Sequence, residues 1–288
     1  MLQVGLSLGT PSQREEIFRQ CKEAGITQVE ISVGRLEGLG TLDFPAMRKL
    51  ADRYGIELWS FHLPFSPFGS IDISSPNEKK RSATVGVMAY LIRQAGSVGI
   101  KRYVIHPSGE PIQEEERPLY MEAAKKSLAE LAAVAEAAGG VIAVENLPRT
   151  CLGRDSADML ELLSADPRLR VCFDTNHLLA EDPIDFIRKV GNKIVTLHVS
   201  DYDLQDERHW LPGEGKTDWP ALINALRECG YRGAWLYEIG FQPSATIHRD
   251  RNLTPHDFVR NAVELMDGRP LTVLGTPAED LPHWTQRK

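Results

Sequence analysis

The chain has no excess of basic residues. Lys and Arg number 33 against 40 Asp and Glu, a net charge of −7, so broad electrostatic attraction to nucleic acid or anionic lipid is not expected. No run approaches the roughly 18 apolar residues of a membrane span, and no membrane partner is expected. The four cysteines, Cys21, Cys151, Cys172 and Cys229, are scattered without a CxxC pair. They read as reduced thiols of a cytoplasmic protein. The opening residues Met1 to Leu8 enter a strand pattern at once and lack the basic start of a secretory signal. No glycine-rich phosphate cradle follows the last two strand-like runs, so nothing favours a phosphorylated over a free small-molecule substrate.

What the sequence does have is alternation. Strand-like apolar runs fall near 3–8, 27–33, 56–62, 101–106, 141–146, 169–174, 193–198 and 233–239. Helical spacing follows near 12–24, 43–54, 77–98, 115–138, 156–164, 183–190, 218–229 and 254–267. Ala123, Leu128, Leu131, Val134 and Ala135 mark the longest helix, which Gly139-Gly140 ends. Asp218 is placed to cap the helix that Gly230 closes. Eight β-then-α units predict a single-domain (β/α)8 TIM barrel, an α/β fold that typically takes about 250 residues. A doubly wound open sheet is the competing architecture. The 288 residues divide into a barrel over 1–267 and a C-terminal extension over 268–288. The extension carries Pro270, Pro277 and Pro282, and is open to three roles: a packed extension, a homo-oligomer contact or a loose tail.

Four strand-like runs end in a residue that can bind a metal: Val141–Glu145, Val171–Asp174, Ile194–His198 and Ala234–Glu238. A buried strand has no internal use for a carboxylate or imidazole at its last position. Together Glu145, Asp174, His198 and Glu238 form a mixed O/N set suited to Mn²⁺, Zn²⁺ or Co²⁺. His62 and His106 end the third and fourth runs. Glu30 lies in the second run, His177 follows Asp174 by three residues, and His209 lies in a long loop. Each has a bland reading. A strand-end histidine is commonly a hydrogen-bonded structural residue, Asp174 could cap a helix, and Glu145-Asn146 could begin a polar loop. Glu30 reads as a structural or supporting carboxylate. His248 and His256 read as surface or capping residues, and Pro212-Gly213-Glu214-Gly215 as a tight turn with an exposed acid. Arg149, Arg154 and Arg249 are candidate substrate-side cations. All the bland readings must hold at once to remove the site, and on a barrel the strand ends of one rim converge where active sites lie.

Two segments exceed ordinary loop length, Pro64 to Pro76 and Ser200 to Thr217, and both follow strand ends. The charged residues of the second (Asp201, Asp203, Asp206, Glu207, Arg208) favour a solvated lid. A rigid loop tied by Trp210 and Pro212 is an equal alternative.

At these residues the chain resembles the xylose-isomerase-like barrel superfamily, which holds sugar isomerases, ketose 3-epimerases, sugar dehydratases and endonuclease IV-type repair enzymes. The motifs are Val144-Glu145-Asn146, Phe173-Asp174-Thr175-Asn176-His177, Leu197-His198-Val199-Ser200-Asp201, the segment His209 to Trp219, and Tyr237-Glu238-Ile239. In the sugar-acting branch the resemblance implies one divalent ion on Glu145, Asp174, His198 and Glu238. It also implies Glu145 and Glu238 as the acid–base pair and His177 as a sugar contact. His62, His106 and His209 join His177 as candidate substrate-binding residues. The expected function is a metal-dependent sugar or sugar phosphate isomerase or epimerase working through an enediolate, with a small carbohydrate as partner. In the endonuclease branch the resemblance implies additional zinc, with His62, His106, His177, Glu207 and His209 as further ligands. Glu207 departs from that pattern, which has aspartate there, and the acidic balance argues against a DNA substrate. A sugar or inositol-type dehydratase and a non-catalytic sugar-binding barrel are the remaining alternatives.

Overall fold

The computed structural model describes residues 3–281 and 283. It contains all eight expected units in order: β1 (Val4–Leu8), α1 (Glu15–Ala24), β2 (Gln28–Ser32), α2 (Phe44–Tyr54), β3 (Glu57–His62), α3 (Glu78–Ser97), β4 (Arg102–Ile105), α4 (Arg117–Ala137), β5 (Val141–Glu145), α5 (Ser156–Leu163), β6 (Arg170–Asp174), α6 (Pro183–Val190), β7 (Ile194–His198), α7 (Trp219–Glu228), β8 (Trp235–Tyr237) and α8 (Pro255–Met266). The strands pair in parallel in the order β7-β6-β5-β4-β3-β2-β1-β8. The ring closes just past β7, where Val199 N donates to Leu236 O at 2.8 Å and Glu238 N donates to Val199 O at 3.2 Å. This closure excludes the open doubly wound sheet and makes the fold a TIM barrel.

Local chemistry explains the helix boundaries. Asp218 accepts from Ala221 N at 3.1 Å and so caps α7, as its position in the sequence predicts. Asp43, Asn77 and Asp155 cap α2, α3 and α5 in the same way. The helices lay their apolar faces on the outside of the strands. Phe186, Ile187 and Val190 do so from α6, and Ile17, Phe18 and Cys21 from α1.

The barrel interior is a separate, smaller core. Val104, Ala143 and Cys172 cluster apart from the main core, as do Trp59, Ala234 and Leu236. Trp59 Nε1 donates to Thr196 Oγ1 at 2.9 Å across the ring. Strand side chains alternate faces. Two residues beyond Val104, Ala143, Cys172, Thr196 and Leu236 therefore stand His106, Glu145, Asp174, His198 and Glu238, on the inward face at the carboxyl rim. The period-two alternation that buries small residues inside the barrel thus sends the ligand-type residues to its mouth.

Past α8, Leu271 and Leu274 pack against the main core. A short strand β10 (Thr276–Pro277) pairs antiparallel with β9 (Ile247–His248) in the β8–α8 connection. Residues 1, 2, 282 and 284–288 lie outside the described set, and with them the expectations for Pro282 and the end of the extension. Among the described residues no helix is long and apolar enough to cross a membrane, and all four cysteines are free.

Candidate metal centre

Each strand end at the mouth is stitched to the next by the residue after its ligand. Asn146 Nδ2 donates to Asp174 O at 2.9 Å while Asp174 N donates to Asn146 Oδ1 at 2.8 Å. Thr175 N donates to His198 O, and Thr175 Oγ1 donates to Ser200 O at 2.6 Å. The side chains of Asn146 and Thr175 thus extend the sheet ladder by hydrogen bonds, and hold Glu145, Asp174 and His198 in register at the rim.

The four predicted ligands come together. One donor atom from each of Glu145, Asp174, His198 and Glu238 lies within 4.8 Å of the other three. His198 Nδ1 is 3.0 Å from Glu145 Oε1, 3.4 Å from Glu238 Oε2 and 3.9 Å from Asp174 Oδ2. A divalent ion at about 2.0–2.2 Å from such atoms needs them roughly 3–3.6 Å apart. Glu145, Asp174 and His198 are fully buried, and Glu238 keeps 24% of its side chain exposed toward the mouth.

One oxygen of this cluster lacks a partner that a cation would supply. Asp174 Oδ1 accepts from Asn176 N, whereas Oδ2 is buried without a hydrogen-bond partner. Burial pushes the Asp174 carboxyl up to about 7, with Glu238 and Glu145 adding to the push and His177 opposing it. Burial works against ionisation of Glu145 too, but the rings of His198 and His106 hold its carboxyl well below the usual range. An orphaned carboxylate oxygen in a buried N/O cluster is the setting a hard or borderline divalent ion satisfies. The residues present fit such an ion.

Glu145 is the hub. Its Oε2 lies 3.1 Å from His62 Nε2 and 3.3 Å from His106 Nε2, while its Oε1 faces His198 and, at 3.6 Å, His177 Nδ1. Phe65, from the long loop after β3, stacks on His106 at 4.2 Å between ring centroids.

A second cluster sits further out. His177 and His209 each direct Nδ1 at a backbone carbonyl 3.0 Å away, Asn146 O and Glu238 O respectively. Their Nε2 atoms then face Glu207 Oε1, at 3.7 and 3.0 Å. The other carboxylate oxygen of Glu207 accepts from Arg149 Nη2 at 2.9 Å, and Arg149 also binds Glu110 and Asp206. Arg149 and His209 both adopt left-handed backbone, at φ 59 and φ 55. Burial tends to lower the His209 ring, but the hydrogen bond to Glu207 and its charge raise it to about 9.

Between the two clusters is a cavity of about 140 Å³ lined by Glu145, Glu238, His106, His177, His209, Glu207, Glu110, Arg149, Phe65 and Phe68. It is smaller than the roughly 300–1,000 Å³ of drug-sized sites and suits a small metabolite. Cys151 also lines it, but burial raises its thiol out of the nucleophilic range.

Several expectations need correction. The segment Ser200 to Thr217 is not a solvated lid: Asp201, Asp206 and Arg208 are buried. The Asp201 carboxylate accepts from the backbone N–H groups of Tyr202, Gly213, Gly215 and Thr217 and from Trp219 Nε1, which ties the loop shut. A Cβ on Gly215 would overlap the Asp201 carboxylate and the Tyr202 carbonyl, so only glycine admits this approach. Glu214 is not an exposed turn acid but a buried partner of Arg249. That pairing removes Arg249 from the substrate-side candidates, and Arg154 pairs with Glu114 outside the cavity. His248 and His256 are exposed, as expected. Sequence reasoning missed Phe65, Phe68, Glu110 and the Asp201 cage. The aromatics were visible only as residues of an overlong loop.

Comparison with known proteins agrees with this architecture. A family model described as xylose isomerase-like TIM barrel matches residues 18–255, and the chain belongs to that family. It is 28% identical over 196 residues to an uncharacterised protein of Methanocaldococcus jannaschii, covering 65% of this chain and 66% of that one. It is 29% identical over 133 residues to the D-psicose 3-epimerase of Enterocloster bolteae, covering 43% of this chain and 42% of the relative. The chain thus spans just under two thirds of the first relative and less than half of the second. The crystal structure of a D-tagatose 3-epimerase-like protein superposes with a TM-score of 0.74 at 23% identity, over 91% of this chain and 96% of that one. This last likeness shows the fold.

Proposed function

We propose that this member of the xylose isomerase-like barrels is a divalent-metal-dependent sugar epimerase or isomerase. The observation that carries the reading is the buried convergence of Glu145, Asp174, His198 and Glu238 around the unpartnered Asp174 Oδ2. The matched psicose 3-epimerase supports the substrate class, and the small cavity favours a monosaccharide-sized ligand over a polymer.

In this reading the four side chains hold one Mn²⁺, Zn²⁺ or Co²⁺ ion. Once bound, such an ion polarises a substrate carbonyl and acidifies the adjacent carbon. The protein supplies the proton traffic. One of Glu145 and Glu238, as carboxylate, takes the proton from the carbon beside the carbonyl, and the electron pair left behind makes an enediolate. The other glutamate, as carboxylic acid, returns a proton to carbon. Delivery to the opposite face inverts the centre; delivery to the former carbonyl carbon, with the hydroxyl proton of the adjacent carbon passing to the old carbonyl oxygen, isomerises. His177 and His209 present ring nitrogens to the same cavity and orient substrate hydroxyls, while Phe65 and Phe68 form its apolar wall. Incubation of metal-loaded protein with ketoses and ketose phosphates in D₂O tests the reading. Chelator-sensitive incorporation of deuterium at one carbon is expected. A panel in which no sugar exchanges a carbon-bound proton would remove it.

One observation favours a second reading: the ring nitrogens of His177 and His209 converge on Glu207, a further triad able to hold an ion. A multinuclear phosphoesterase of the endonuclease type would use it together with His62 and His106. The Arg149 guanidinium already neutralises Glu207, which weakens that triad as a metal site, and the mononuclear reading is preferred.

A further inference from the structure

A carboxylate that the proposed chemistry does not use lies beside the His198 ring. Glu30 in β2 is fully buried. It accepts from Ser7 Oγ of β1 at 2.8 Å and from Ser60 Oγ of β3 at 2.7 Å. Its two oxygens stand 3.1 and 3.2 Å from His198 Nε2. The parallel register slips between Val29 and Glu30, so that Glu30 pairs with Ser60. Such an irregularity re-aims a side chain.

We propose that Glu30 is a positioning residue for the metal centre: it fixes His198 in the tautomer that carries its proton on Nε2 and turns the Nδ1 lone pair toward Glu145, Asp174 and Glu238. A carboxylate only accepts hydrogen bonds. Ser7 and Ser60 spend their single hydroxyl protons on Glu30, so the third contact is satisfied by a proton on His198 Nε2. Nδ1 then carries the ring's free lone pair, and it is the atom that faces the other three ligand side chains. The negative charge behind the ring also strengthens it as a ligand, and removing such a partner typically costs about 10–100-fold in metal affinity. The bland alternative is that Glu30 merely ties β1, β2, β3 and β7 together.

This inference rests on the four-residue centre being a metal site, and its test separates the two claims. Co²⁺ is titrated into the metal-free full-length protein, with visible absorption as the readout, for wild type, Glu30→Gln and Glu30→Asp. Wild type should bind one Co²⁺. Glu30→Gln should bind it roughly 10–100-fold more weakly with an altered spectrum, and Glu30→Asp should recover part of the loss. In Zn²⁺-loaded wild type, ¹⁵N-resolved histidine spectra, assigned by signal loss in His198→Gln, should show His198 protonated on Nε2. A folded Glu30→Gln with wild-type affinity and spectrum would overturn the role of Glu30 while leaving the metal centre intact. So would a His198 proton on Nδ1 in the Zn²⁺ form, which settles the matter even where Glu30→Gln fails to fold. Wild type that binds no Co²⁺ or Zn²⁺ would overturn both.

Discussion

The mouth of the barrel holds two polar clusters built by different means. The inner one, Glu145, Asp174, His198 and Glu238, stands on or next to strand ends and takes its geometry from the ladder, extended by Asn146 and Thr175. The outer one, His177, Glu207 and His209, stands on loops held by the Asp201 cage, the Arg149 knot and Asn176 Oδ1 accepting from Arg208 N, with the two histidine rings turned by the carbonyls of Asn146 and Glu238. Three of the four inner groups are fully buried, whereas of the outer three only His177 is buried, and Glu207 and His209 keep 28% and 30% of their side chains exposed. The difference teaches a division of labour. Rigid strands suit groups whose mutual distances must match an ion, and loops suit groups that meet a substrate.

Changes in the inner cluster should therefore be the costlier. Glu145→Gln and Glu238→Gln each keep an oxygen donor and remove the base, and turnover should fall by about 10²–10⁴-fold. Steady-state kinetics with metal content measured in parallel checks this; near wild-type turnover in metal-loaded Glu238→Gln would end its proton role. His209→Ala should cost less, up to about 10²-fold in kcat/KM as substrate placement loosens, with metal content unchanged. Loss of metal in that variant would move His209 from the outer to the inner class and erase the distinction.

The outer cluster should also show itself in the pH dependence of the metal-free protein. His209 is raised to about 9 from an ordinary 6.5. Its contribution to stability is then complete below about pH 6.5 and lost as pH rises through 9. Thermal unfolding of chelated protein should show Tm falling between about pH 7 and 10. His62, raised to about 9 by Glu145 against the effect of burial, adds to the fall in the same direction. His209→Ala should flatten part of the curve, and an unchanged curve would show that His209 carries none of it. The smallest effect expected is none: an abasic-site duplex with excess Zn²⁺ should not be incised. The net charge of −7 and the hold of Arg149 on Glu207 motivate this. Chelator-sensitive incision would promote the outer cluster to a metal site.

The same contrast explains what could be read in the sequence. The eight units, the barrel and the meeting of Glu145, Asp174, His198 and Glu238 follow from period-two alternation and from strand ends sharing a rim, rules that act over a few residues. Glu30 was visible as an acid inside a strand, but its contact with His198 spans 168 positions and crosses the barrel. The burial of Asp201, Asp206 and Arg208 ran against composition, because a charged loop reads as solvated. Asp201 is buried only because donors from positions 202 to 219 converge on it. The fate of Arg249 likewise depended on Glu214, a partner that no local pattern selects.

The central claim is that the inner cluster holds one divalent ion, and elemental analysis of the purified protein tests it most directly. Wild type should carry about one equivalent of Mn²⁺, Zn²⁺ or Co²⁺, removable by chelation and restored by that ion. Asp174→Ala and His198→Ala, folded by circular dichroism, should carry almost none. Metal content in those two variants equal to that of wild type would contradict the account.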